Sequence, residues 1–262
     1  MRIALGIAYD GSGFAGWQSQ ASGDTVQDHL ERALAGIAGA PIRVTAAGRT
    51  DAGVHATGQV AHCDTPADRP ESAWVRGTNS ALPAGIAVQW AQPVDSAFHA
   101  RFAATARTYH YVLYVHPVRP ALFGAQVGWF HLPLDLVAMQ RAAVALVGQH
   151  DFSSFRAAEC QAKSPVRTLH ELTLAQRGAY IVFKFRADAF LHRMVRNIVG
   201  ALVYVGKGHD TPESIAALLA ARDRRLAAPT FSPAGLYLTK VEYDPAWSLP
   251  ETSPALPWIT AP

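Results

Sequence analysis

Apolar positions along the chain change period several times, and each change marks a new element. Residues 2–9, RIALGIAY, alternate or run apolar as a strand, and YDGSGF follows as a glycine-rich loop leading to Trp17 and Gln18. The period then lengthens. Val26, Leu30, Ala33, Leu34 and Ile37 recur at helical spacing behind Asp24 or Thr25 as a cap. TGQVAHC reads as a strand, 72–80 as a helix ended near Leu82 and Pro83, and IAVQWAQ as a further strand.

The second half opens with YHYVLYV (109–115), an alternating aromatic and β-branched strand, and LDLVAMQRAAVALVG is an amphipathic helix. TLHELTLA and AYIVFKFRA pair as an antiparallel hairpin around Arg177 and Gly178. AFLHRMVRNIVGALVYVG predicts one long buried helix, a shorter one follows Thr211 and Pro212, and LYLTKVEY closes the set as a strand. Two mixed blocks of strands and helices predict an α+β protein with largely antiparallel sheets. The expected division is an N-terminal half over 1–105, a C-terminal half over 106–245 and a Pro-rich tail over 246–262.

Composition narrows the class. The chain has 262 residues, half of them apolar and 16% charged, so it is globular and long enough for one large or two compact domains. Net charge is +3 and the sequence pI about 9.0, which suits a polyanionic partner if the arginine clusters share a face. Cys63 and Cys160 are the only cysteines, neither lies in a CxxC pair, and buried free thiols are expected instead of a disulfide framework. The N-terminus reads as a strand and no apolar run reaches the length of a membrane span, so a cytoplasmic protein is expected.

The densest chemistry lies at 48–56, GRTDAGVHA. Glycines at 48 and 53 permit backbone angles and close approaches that a β-carbon forbids, so Asp51 can be presented on a tight turn. Arg49 can hold that carboxylate ionised or touch a phosphate. The plainer alternative is a glycine-rich turn whose Asp caps the following backbone.

The nine-residue run resembles the active-site signature of the TruA-type tRNA pseudouridine synthases. Similar segments follow the family's order through most of the chain: YDGSGFAGWQSQ, TVQDHLERAL, FHARFAATARTYHY, HDFSSF, FLHRMVRNIVG and GLYL. The resemblance implies two ferredoxin-like (RRM-like) halves with mostly antiparallel sheets joined around a central active-site cleft, and a homodimer that binds tRNA. It implies isomerisation of uridine to pseudouridine at positions 38, 39 and 40 of the anticodon stem-loop, on a flipped-out base. No metal or organic cofactor is implied, and the sequence carries no zinc-ligand spacing, Walker loop or dinucleotide fingerprint.

By the same resemblance Asp51 is the catalytic nucleophile or base. Anomeric attack, ring addition and removal of a ribose proton all stay open to it, and all need the carboxylate charged in a partly dry site. Arg196 of MVRNIVG matches the basic residue that pairs with it. Its alternative is an ordinary arginine at the polar edge of a core helix, one turn after His192. Tyr109 matches the tyrosine that stacks on the uracil and moves a proton; the alternative is a core aromatic beside Tyr111 and Tyr114. Arg49 matches the arginine that fills the gap left by the extruded nucleotide, against a plain salt bridge to Asp51, and Leu191 falls among the substrate-binding positions.

Ala106, His110 and Gly85 depart from the family pattern. Arginines such as Arg101, Arg107 and the RDRR run at 222–225 can contact phosphate or be solvated charges, and RDRR ends a helix where cations are favoured anyway. His55, His62 and His192 read as structural. Two other classes compete: a tRNA-binding or tRNA-folding module with little catalysis, and a metal-dependent hydrolase using Asp51, His55 and His62, which a chelator would inactivate.

Overall fold

The computed structural model describes residues 1–251, so residues 252–262 of the expected tail lie outside the described residues. Along the chain run β1 (Arg2–Tyr9), α1 (Val26–Ala38), β2 (Val44–Ala46), β3 (His55–Asp64), α2 (Thr78–Ala81), β4 (Ile86–Val94) and β5 (Ala104–Val115). They are followed by β6 (Gly128–Phe130), α3 (Leu136–Val144), β7 (Gly148–Asp151), β8 (Val166–Arg177), β9 (Tyr180–Ala187), α4 (Met194–Gly206), α5 (Ser214–Ala221) and β10 (Leu236–Tyr243). The described residues divide into two compact units: Met1–Thr105 with residues 237–251, and Ala106–Leu236.

In the first unit, β1 pairs antiparallel with both β3 and β4, and β2 pairs antiparallel with β3. The strand order β4, β1, β3, β2 with helices after β1 and β3 is the ferredoxin-like arrangement. Ile3, Leu5 and Ile7 of β1 and Val26, Leu30 and Leu34 of α1 are buried, as their spacing requires. Thr25 caps α1, its hydroxyl accepting from the Asp28 N–H at 3.2 Å. Between Ile7↔Gln59 and Tyr9↔Ala56 the register slips, with one extra residue on β3, a bulge that re-aims side chains at the end of the strand. β10 runs parallel to β3 at Tyr237↔His55 and Leu238↔Ala56.

The second unit carries an antiparallel sheet in the order β5, β9, β8, β7, with β6 added parallel to β5. β8 and β9 form the expected hairpin, and Gly178 at its turn has φ +60°. α3 contacts α4 and β8. Eleven of the thirteen residues of α4 are buried, which matches its nearly all-round apolar sequence.

Three helices differ from the sequence expectation. The stretch expected to be helical from 72 to 80 is helical but widens into one π-type turn, Ala73–Gly77, before α2. α3 stops at Val144; the chain tightens through i to i+3 bonds at Ala145, Leu146 and Val147 and turns away at Gly148, whose φ is +112°. α4 starts at Met194, five residues later than the expected Ala189, because the Asp188 carboxylate captures the N–H groups of Thr168 and Ala189 at 3.1 and 2.6 Å. That local bond offers the backbone an alternative to the helix. Arg193 then sits at φ +60°, so His192 and Arg196 do not share a helical face as expected.

Candidate active site

The Asp51 turn in the first unit is built by neighbours that leave its backbone little freedom. The Val54 N–H closes it onto the Asp51 carbonyl at 3.1 Å, and Gly53, at φ +76°, supplies the left-handed residue. The Gly11–Trp17 loop lies directly against it, and the Trp17 N–H donates to the Thr50 carbonyl at 3.0 Å. A β-carbon on Gly16 would stand 2.9 Å from the Thr50 carbonyl oxygen and 3.0 Å from the Ala52 nitrogen, on a backbone already at φ +91°. Only glycine allows this approach.

Buried polar side chains hold the turn from beneath. The Tyr9 hydroxyl meets the Thr50 hydroxyl at 2.8 Å, and the Gln59 amide, fully buried, donates to the Gly48 carbonyl at 2.7 Å. The Gly11 N–H donates to Nδ1 of buried His55 at 3.0 Å, and the His55 ring stacks on Tyr237 with centroids 4.7 Å apart. Each bond ties a different residue of GRTDAGVH to the sheet or the facing loop. Asp51 is half-buried on this frame, while Arg49 is exposed and forms no ion pair among the described residues.

In the second unit, Tyr109 lies on β5 opposite Phe185, 8% exposed, with its ring edge-on to Phe190 at 5.0 Å. Tyr111 is core: its hydroxyl donates to the Ser232 carbonyl at 2.9 Å and its ring meets Phe183 and Phe231. The loop that carries Leu191, which is buried, is fixed by Asp188 as above and by Arg107, whose guanidinium donates to the Asp188 carbonyl at 2.7 Å. Arg196 sits in the first turn of α4 and exchanges two bonds with Phe231: its Nε donates to the Phe231 carbonyl at 2.9 Å and its carbonyl accepts the Phe231 N–H at 3.2 Å. Gly200, one turn on, faces the Pro229 carbonyl so closely that a side chain would not fit.

Arg49 and Asp51 therefore share one turn of the first unit, and Tyr109, Leu191 and Arg196 belong to the second. Tyr9, Gly16, Thr50 and Gln59 escape sequence reasoning as supports of the turn, although YDGSGF and GQV flank it in the sequence. Within RDRR, Arg224 is structural: it donates to the carbonyls of Ala227 and Ala228, to Asn197 and to Thr230. Arg225 pairs locally with Asp223, whose carboxyl it holds down to about 2.

Other titratable groups are accounted for by burial. His62 accepts the Ala100 N–H on Nδ1, and burial, with Arg2 and His99, pushes its pKa down to about 4. Burial pushes the Cys63 thiol up to about 12, leaving it inert. The Cys160 thiol shifts the other way: burial opposes its ionisation, but the N–H groups of Ala162 and His192 and the Arg156 guanidinium outweigh that. Among the described residues no three His, Cys, Asp or Glu side chains cluster as metal ligands, and no helix is long and apolar enough to cross a membrane.

Comparison with known proteins places the site in context. A family model described as tRNA pseudouridine synthase matches residues 6–103 and 142–244. A tRNA pseudouridine synthase A of Dechloromonas aromatica (strain RCB) is 61% identical over 251 residues, covering 96% of each chain. One from Aromatoleum aromaticum is 61% identical over 250 residues, 95% of each chain, and one from Paraburkholderia xenovorans is 56% identical over 260 residues, 99% of this chain and 96% of that one.

Proposed function

We propose that this chain, which belongs to the tRNA pseudouridine synthase family, isomerises uridine to pseudouridine at positions 38, 39 and 40 of the tRNA anticodon stem-loop, with Asp51 as nucleophile or base. The observation that carries the reading is the Asp51 turn, a carboxylate on a backbone pinned from both sides by Trp17, Gly16, Tyr9 and Gln59. A backbone held this firmly meets the positional demand of chemistry at a sugar carbon, where small displacements cost large factors in rate.

The reaction breaks the C1′–N1 bond, turns the uracil, forms a C1′–C5 bond, releases the C5 hydrogen to solvent and leaves a proton on N1. Redox state is conserved and no group departs, so the residues need to supply only a nucleophile or base, a proton acceptor and a pocket for the freed base. In this reading Arg196 keeps the carboxylate charged, Tyr109 stacks on the uracil and moves a proton, and Leu191 packs on it. Arg49, exposed beside Asp51, fills the space left by the extruded nucleotide and offsets part of the unstacking cost. The protein acts as a cytoplasmic homodimer without metal or organic cofactor.

The test is release of tritium from C5-labelled uridine in unmodified tRNA, with and without chelator, comparing the intact protein with Asp51→Ala. Release that needs Asp51 and ignores chelator is expected, with the label coming from positions 38–40. Tight tRNA binding without release from the intact protein would instead identify a binding or folding module.

A further inference from the structure

The turn between β4 and β5 in the first unit presents an aromatic ring to solvent on an unusually fixed base. Phe102 is 75% exposed. One face of it lies on the His99 ring, centroids 4.2 Å apart and 28° from parallel, and His99 in turn meets His62 at 4.8 Å. The backbone beneath is tied down at every step. The Ala100 N–H donates to His62, the Ala103 N–H donates to the His99 carbonyl at 2.9 Å, and the N–H groups of Arg101 and Phe102 both donate to His99 Nδ1 at 3.2 and 3.3 Å. Tyr243 donates to the Ala100 carbonyl at 2.7 Å, and Arg2 to the Phe98 carbonyl at 2.7 Å. Beside the ring the Arg101 guanidinium carbon stands 5.7 Å from its centroid.

We propose that Phe102, supported by His99 and flanked by Arg101, is a stacking platform for an unpaired base of the tRNA other than the reacting uridine. An immobilised ring with one face supported and its surface largely open loses little entropy when a flat partner lands on it. Nucleobases are such partners, and every base has a π-face, so the contact tolerates sequence. The cation next to the ring fits the phosphate that accompanies a base and does not fit an apolar protein surface. A chain of net charge +3 and pI about 9.0 agrees with that choice of partner. The proposal rests on tRNA being the substrate but not on the role of Asp51.

The experiment uses the full chain and an unmodified tRNA transcript. Phe102→Ala should bind about tenfold more weakly at fixed salt, and Phe102→Trp should bind within about twofold of the native protein while its indole emission is quenched by added tRNA beyond the change that the six native tryptophans show in the native protein. Unchanged affinity in Phe102→Ala, or quenching in Phe102→Trp no greater than in the native protein at saturating tRNA, overturns the platform. A change of oligomeric state in Phe102→Ala by sedimentation also overturns it, since the ring would then serve a contact between copies. Tritium release by the native protein is scored separately, so loss of the catalytic reading leaves the binding result standing.

Discussion

The two loops that carry the candidate chemistry are held by different kinds of bond. Most supports of the Asp51 turn in the first unit are neutral groups, the Tyr9 and Thr50 hydroxyls, the Gln59 amide, the Trp17 N–H and the glycine contact at Gly16, with the His55 imidazole as the exception. The 188–193 loop of the second unit adds ionic and polarisable supports to its backbone bonds: the Asp188 carboxylate, the Arg107 guanidinium and the Cys160 thiol, which accepts the His192 N–H at 3.4 Å. Hydroxyl, amide and backbone bonds carry no net charge for salt to screen. The second loop depends on charge, so modification or solution conditions reach it more readily.

The comparison breaks most directly at Gly16. Gly16→Ala forces a β-carbon into the Asp51 backbone on a left-handed residue, and turnover should fall about a hundredfold while the second loop is untouched. Single-turnover tritium release measures it, and near-native rates would show that the turn tolerates displacement. Next is Asp188→Ala, which orphans two N–H groups and should cost about 1–3 kcal/mol of stability. Thermal unfolding that shifts by less than a degree would remove Asp188 as the anchor of its loop.

Gln59→Leu is subtler. It deletes the bond to Gly48 but also removes the Gln59 Oε1, which is buried without a partner, so the two stability effects oppose each other. Turnover should drop about tenfold with stability changed by under about 1 kcal/mol, a split that marks a positioning residue. Unfolding in proportion to lost activity would make Gln59 merely structural.

A pH series probes both units at once. His62 in the first and His110 in the second are each depressed to about 4, burial being the largest cause in both. A histidine kept neutral in the folded state takes up protons on unfolding, so stability is full above about pH 6.5 and falls as pH drops toward 4. His62→Gln and His110→Gln should each flatten that slope; an unchanged slope in both would assign acid loss to other groups. The smallest effect is expected within RDRR. In thermal unfolding, Arg225→Ala removes an exposed local ion pair and should leave the midpoint essentially unchanged, whereas Arg224→Ala strips partners from Asn197 and Thr230 and should lower it; equal shifts would put the two arginines on the same footing.

Periodicity carried the strands well. β1 and β10 coincide with RIALGIAY and LYLTKVEY, and the β8–β9 turn falls at Gly178, because strand faces and turn glycines are local signals. It misjudged the start of α4, where an aspartate six residues upstream competes for backbone N–H groups, a competition that apolar spacing does not register. The Asp51 turn was legible from Gly48 and Gly53, but its supports were not. Tyr9 reaches Thr50 across 41 residues and Gln59 reaches Gly48 across 11, and which strand face meets which carbonyl depends on the β3 bulge. Arg224 shows the same limit: a run of basic residues reads as surface until its acceptors are in view.

The strand β3, which leaves the Asp51 turn, meets β10 at Tyr237↔His55, and β10 lies some 180 residues later in the sequence than β3. On the ribosome, the first unit therefore emerges early without its last strand and must wait for nearly the whole chain to be translated. Until then the edge of β3 at His55 and Ala56 is open, and a nascent chain halted before Leu236 leaves the backbone behind Asp51 unclosed. Synthesis itself thus keeps the Asp51 turn unfinished until the second unit has been made.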